Sequence, residues 1–207
     1  LGERAECIDA PRVEAIDSAP APDDVARAHA LLADARAPLV IVGGSRWTAD
    51  ACARLAAWAQ RTGLPIAAAF RRQDLIDNRH PHYVGDVGID INPKLAAHVR
   101  DADVLLVIGE RLGEMTTGGY TLLDVLVPRQ KLVHVHPAPE ELGRVYQPEV
   151  AIASTPGAFL AALESLPAFA RPEWPALTAS AHADLDAWRA PRPVPGAVDL
   201  WQVVRWL

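Results

Sequence analysis

Cysteine is nearly absent from this sequence: Cys7 and Cys52 are its two, far apart in the chain. That spacing excludes a disulfide framework, a CxxC redox pair and a zinc site built on paired cysteines, and it suits a reducing, cytoplasmic setting. Long apolar runs are also missing. Nothing approaches the roughly 20 residues that span a bilayer, and no basic segment followed by an apolar signal core opens the chain. A membrane is therefore not an expected partner. No run of five Lys or Arg occurs, and a formal net charge of −6 repels phosphate backbones, so nucleic acid is not expected either.

What is present is an ordinary globular balance: half of the 207 residues are hydrophobic and 22% are charged, enough to build one full core. At roughly 150 residues per domain, that length gives one main domain with flanking segments. The chain opens at Leu1 rather than Met and ends inside an amphipathic stretch, 198–207, so both ends read as cuts.

Residues 1–24 lack periodicity and carry prolines, which reads as an interdomain linker. A helix follows over 25–35, with Asp23 or Asp24 as its cap, and the Ala37-Pro38 step ends it. The apolar run 39–42, closed by Gly43 and Gly44, suits a strand buried on both faces. Thr48 caps a helix that Gly63 stops, with Leu55, Ala56 and Trp58 facing inward. Strands are predicted at 65–69, 83–84, 104–108, 132–135 and 150–152, and helices at 93–100 and after 155, the last capped by Thr155 with Pro156 at the first helical position. This alternation predicts an α/β, three-layer, Rossmann-like sheet of six parallel strands with helices on both faces, over 25–166. Residues 167–207 read as a C-terminal helical arm, a linker and the start of a following domain, with a helix over 176–189.

Ligands of open parallel sheets bind at the carboxyl ends of the strands, which selects loops 43–48, 70–76, 109–119 and 136–140. Gly43 and Gly44 either let backbone approach a phosphate or simply make a tight turn after the strand. A full GxGxxG is absent, Phe70-Arg71-Arg72 stands where an acidic residue would end strand two, and GxxxxGK[ST] is absent as well. Arg111, in a glycine-rich loop after an apolar strand, can pair with phosphate or with local carboxylates. His80, His82, His134 and His136 can suggest metal, but without HExxH or an evident third ligand a polar or packing role at the strand end is the simpler reading. Glu140 and Glu141 complement a helix dipole rather than form an acid/base pair. Trp174, Trp188, Trp201 and Trp206 load the C-terminal segment with apolar area that either packs on this domain or docks on another.

Four strings, in this order and spacing, carry a resemblance: Pro-Leu-Val-Ile-Val-Gly-Gly at 38–44, His80-Pro81 with Gly-Asp-Val-Gly at 85–88, Ala-Asp-Val-Leu-Leu-Val-Ile-Gly at 102–109 with Arg111, and Lys-Leu-Val-His at 131–134. Over about 25–166 the chain resembles the central domain of thiamine-diphosphate enzymes of the acetolactate synthase and 2-oxoacid decarboxylase type. The resemblance implies a non-catalytic central domain. Its parent would use thiamine diphosphate and magnesium to decarboxylate a 2-oxo acid and pass on the carbanion equivalent, as a homo-oligomer. The glutamate that activates the thiamine ring and the motif that holds magnesium would lie in the N-terminal and C-terminal thiamine-binding domains, so no catalytic residue is implied here.

Some members of that family bind FAD or ADP across the central domain. The matching positions are Gly43, Gly44, Arg111 and the turn from His134 to Pro139, including His136. Where the family often reads His-Ile-Asp-Ile-Asp-Pro, this sequence reads His-Val-His-Pro-Ala-Pro at 134–139, which removes two acidic hydrogen-bond acceptors for ribose or adenine. Two readings from other classes are a stand-alone module that binds adenine nucleotides, and a deacetylase of the sirtuin type, whose zinc cysteine pairs are missing here.

Overall fold

A computed structural model describes residues 2, 9–11, 13–14, 16–169, 171, 173–192, 196 and 198–206. Cys7, several positions of the 1–24 segment, Pro172, Pro193, Pro195 and Leu207 lie outside the described residues.

The two most apolar runs form the centre of the sheet. β1 (Pro38–Val42) and β4 (Val104–Ile108) are buried along their whole length and pair in parallel, Val40 beside Leu106. Strands covered on both faces need continuous hydrophobic runs, which is why neither shows alternation. β2 (Ile66–Ala68) and β3 (Tyr83–Asp86) extend the sheet on one side, β5 (Lys131–His136) and β6 (Val150–Ala153) on the other, in the order β3-β2-β1-β4-β5-β6, all parallel. The six-stranded, doubly wound sheet predicted from the sequence is the one observed. Asp103 anchors its centre: its carboxylate accepts the backbone N–H groups of Arg36 at 2.7 Å and Ala37 at 3.0 Å, tying the entry to β1 to the entry to β4.

Helices α1 (Pro22–Asp34), α2 (Ala49–Thr62) and α4 (Pro156–Glu164) cover one face, placing Leu32, Leu55, Trp58 and Phe159 against Val40, Val42, Leu106 and Val133. On the other face α3 (Pro93–Asp101) and the loop after β4 set Leu95, Val99, Leu112 and Leu122 against Leu39, Ile41, Leu105 and Val107. The helix ends show why the chain breaks where it does. Thr48 accepts the N–H of Ala51 at 3.1 Å, Gly63 closes α2 at φ 80°, and Asn92 with Pro93 opens α3.

Two expectations about helix ends and one about burial are corrected. Asp23 and Asp24 do not cap α1; they lie inside its first turn, where they complement the dipole, and the cap position falls on Ala21 because Pro22 starts the helix one turn early. Thr155 stands before Pro156 but its side chain makes no cap bond; its backbone N–H donates to Ser18 O at 3.1 Å. Ala56 is half-buried rather than core, while Leu55 and Trp58 are buried.

The helix expected over 176–189 is α5 (Trp174–Arg189), and it lies on the body of the domain, against β3 and α3. Trp174 is fully buried and donates its indole N–H to Ala35 O at 3.2 Å. Thr178 donates to Gly63 O at 2.6 Å, and His182 Nδ1 donates to Tyr83 O at 2.7 Å, satisfying a carbonyl of the edge strand. Lys94 and Asp184 join α3 to α5 by an ion pair. Trp201 and Trp206, on the short α6 (Leu200–Trp206), behave differently and are 37% and 80% exposed. Trp174→Ala is expected to cost about 3–5 kcal/mol, read as a lower urea midpoint with the transition still cooperative; a loss under about 1 kcal/mol would mean that α5 does not belong to the folded body.

Candidate functional site

The order of the sheet reverses direction beside β1, with β2 on one side and β4 on the other, so the carboxyl ends of β1 and β4 flank the topological switch point. Here the two strand ends interlock. The N–H of Gly43 donates to Ile108 O at 3.0 Å and that of Gly109 to Val135 O at 2.8 Å. Gly44 turns at φ 67°, and a Cβ on it would fall 1.7 Å from Gly109 O; Gly109 turns at φ 78°, and a Cβ there would lie 2.5 Å from Gly43 O. The remaining carbonyl of the turn, Gly43 O, accepts the indole N–H of Trp47 at 2.7 Å. Of the two readings for the glycines, close packing of backbone on backbone is the one the geometry displays.

Glu110 lies over this interlock. Its Oε2 is 2.6 Å from where a Gly43 Cβ would stand, beside Ala69, so glycine at 43 makes room for a carboxylate of the protein itself. Glu110 is 9% exposed, and its Oε1 accepts from the Thr116 hydroxyl at 3.3 Å. Its carbonyl accepts Nε2–H of His134 at 2.7 Å. That imidazole is buried, its Nδ1 has no partner among the described residues, and burial pushes its pKa down to about 4. His134 is thus a neutral pin between β5 and the loop after β4.

Beyond Glu110 opens a cleft of about 470 Å³, walled by Phe70 and Tyr120 and carrying Glu110, Arg111, Glu114, Glu141 and Arg144. Arg144 is paired with Glu141 at 2.9 Å. Arg111 lines the cleft and is exposed, and it makes no ion pair among the described residues. His136 stands outside the cleft at the end of β5; its Nδ1 accepts the N–H of Ala138 at 3.1 Å, and its ring meets His134 edge-on at 6.3 Å. The four candidate positions therefore do not converge: Gly43 and Gly44 are consumed in the interlock, Arg111 faces the cleft and His136 closes its own turn. Glu110, Thr116 and Trp47 lie in the loops 109–119 and 43–48 selected from the sequence, which assigned none of them a role of its own. A glutamate directly after the last strand glycine was the available signal for the first.

His80 Nδ1 accepts the backbone N–H of His82 at 3.2 Å. Among the described residues no three His, Cys, Asp or Glu side chains converge on a point. Nor do the residues fit a nucleotide diphosphate. A carboxylate of the protein occupies the glycine turn, and the acidic acceptors for ribose or adenine after β5 are absent.

Fold and strand-end geometry define a Rossmann-like α/β domain of the doubly wound class. The family model of the thiamine pyrophosphate enzyme central domain matches residues 25–163, and the chain belongs to that family. It is 29% identical over 135 residues to the acetolactate synthase large subunit of Corynebacterium glutamicum, covering 65% of this chain and 21% of that protein. It is 29% identical over 178 residues to the acetolactate synthase isozyme 1 large subunit of Escherichia coli K12, covering 86% and 30%. With the sulfoacetaldehyde acetyltransferase of Castellaniella defragrans it shares 31% identity over 115 residues, covering 56% and 19%. The chain thus spans from about a fifth to under a third of the length of these relatives.

Two outcomes follow from the site. Gly44→Ala is expected to destabilise by more than about 3 kcal/mol, because its methyl meets backbone that cannot move aside, whereas Gly119→Ala, also at positive φ but with nothing within 4 Å, costs only about 1–2 kcal/mol; equal losses in a urea titration would refute the interlock. His134 sets a pH dependence. Its folded pKa of about 4 lies below the ordinary 6.5, so the unfolded chain binds the extra proton first. Its contribution is complete above pH 6.5 and is lost as pH falls to about 4, by about 3 kcal/mol in all. Urea midpoints measured between pH 7 and pH 4 should show that decline, and His134→Asn should flatten it.

Proposed function

We propose that this chain is a non-catalytic central domain whose parent enzyme decarboxylates a 2-oxo acid with thiamine diphosphate and magnesium and transfers or carboligates the resulting carbanion equivalent. The observation that carries this reading is the family match over 25–163, with acetolactate synthase large subunits among the relatives. Thiamine diphosphate, when bound, supplies the electron sink for decarboxylation. Thiamine diphosphate and its magnesium are assigned in this reading to N-terminal and C-terminal thiamine-binding domains of the parent, which is proposed to be a cytoplasmic homo-oligomer.

What this domain contributes is rigidity. Its sheet ends are locked by backbone contact, its edge strand is covered by α5, and its loops are held by buried side-chain bonds. A scaffold of that kind fixes the distance between flanking domains without touching substrate.

The test is carbon dioxide release from pyruvate by the full-length parent, with and without thiamine diphosphate and magnesium, beside the 207-residue chain alone. Turnover that requires thiamine diphosphate, with the isolated chain inactive, is the expected result. A parent indifferent to thiamine diphosphate would overturn the reading; a parent gene without thiamine-binding domains, together with saturable adenine-nucleotide binding by this chain, would favour a stand-alone nucleotide module instead.

A further inference from the structure

We infer that Glu110 is a built-in occupant of the anion seat at the β1/β4 switch point, and that it closes this domain to nucleotides bearing a diphosphate. In a doubly wound sheet the seat for a diphosphate is the glycine turn at the carboxyl end of the strand beside the switch point, because backbone can come close there and free N–H groups point outward. In this chain that turn is Gly43 and Gly44.

The seat is filled from within. The position a Gly43 Cβ would take is 2.5 Å from Ala69 Cβ, 2.6 Å from Glu110 Oε2 and 3.0 Å from Glu110 Cβ, so the carboxylate and the end of β2 together close the space over the glycine. One bond holds the carboxylate and two hold the backbone that carries it. Thr116 donates to Oε1 at 3.3 Å, His134 holds the Glu110 carbonyl at 2.7 Å, and the N–H of Gly109 is fixed on Val135 O at 2.8 Å. Leaving the seat would cost Glu110 its Thr116 bond and move a loop pinned to β5.

The surroundings do not offset the charge. Of the two guanidinium groups in the adjoining cleft, Arg144 already pairs with Glu141, which leaves Arg111 beside Glu110 and Glu114. A diphosphate entering between them would meet one carboxylate at contact distance in a partly desolvated turn and a second nearby, where like charges repel far more strongly than in water. Trp47, bonded to Gly43 O at 2.7 Å, further occupies the turn. The glycines that suggest a nucleotide site in the sequence instead accommodate the protein's own anion.

The experiment is calorimetric titration of the 207-residue chain with ADP and with FAD, for wild type, Glu110→Ala and Glu110→Gln, with circular dichroism melts to establish that each is folded. Glu110→Gln keeps the side chain's shape and its bond from Thr116 while removing the charge, so it remains informative if the alanine variant fails to fold. Wild type is expected to show no saturable binding up to about 1 mM ligand, and at least one variant to bind at least about tenfold more tightly than that limit. Saturable wild-type binding of either nucleotide overturns the inference, and so does silence from both variants, because the barrier would then not be Glu110. The exclusion holds whether or not the parent uses thiamine diphosphate, so failure here and failure of the proposed parent activity are separate results.

Discussion

The approach of β1 to β4 at their carboxyl ends is the constraint around which the rest of the domain is arranged. The turns that leave these strands pass so close that only hydrogen fits between Gly44 and Gly109 O. Such contact removes all side-chain space from the middle of the switch point, so polar groups collect around it. Trp47 satisfies Gly43 O, Glu110 lies over Gly43, and His134 reaches across from β5 to hold the Glu110 carbonyl. A buried, neutral imidazole is a costly pin, and among the described residues its Nδ1 has no partner.

The sheet itself was legible in the sequence because its signals are local. Runs such as 38–42 and 104–108 are apolar throughout, glycine or proline marks their ends, and Thr48, Asn92 and Gly63 announce helix limits within a few residues. Two caps were not as expected: Pro22 started α1 before either aspartate could cap it, and Thr155 holds the cap position of α4 without a side-chain cap bond. The site was less legible because its partners are distant. Nothing near Glu110 in the chain indicates that its carboxylate will rest on residue 43, or that residue 134 will bond its carbonyl. Trp174 shows the same limit: its partner Ala35 lies 139 residues earlier, so the sequence left open whether it packs at home or elsewhere.

The chain belongs to the thiamine pyrophosphate enzyme central-domain family, whose model ends at residue 163, yet the folded body continues to Arg189 because α5 covers the β3 edge. Covering an exposed edge strand keeps it from pairing with other chains, which suits a domain proposed to sit between two others. Trp206 on α6, 80% exposed, differs from Trp174, which is fully buried, while Trp201 shares a cavity with Asp86 of β3 and Leu185 of α5.

The central claim is that the strand-end glycine turns are structural members of the sheet rather than an open ligand loop. Native-state hydrogen exchange at the amides of Gly43 and Gly109 tests it most directly, with the amides of Val42 and Val107 as references. Structural turns should exchange only through global unfolding, with the same opening free energy as the strand amides and no change when ADP or FAD is added. Rapid exchange through local opening, or protection that appears only with a nucleotide, would show instead that the turns form a ligand loop.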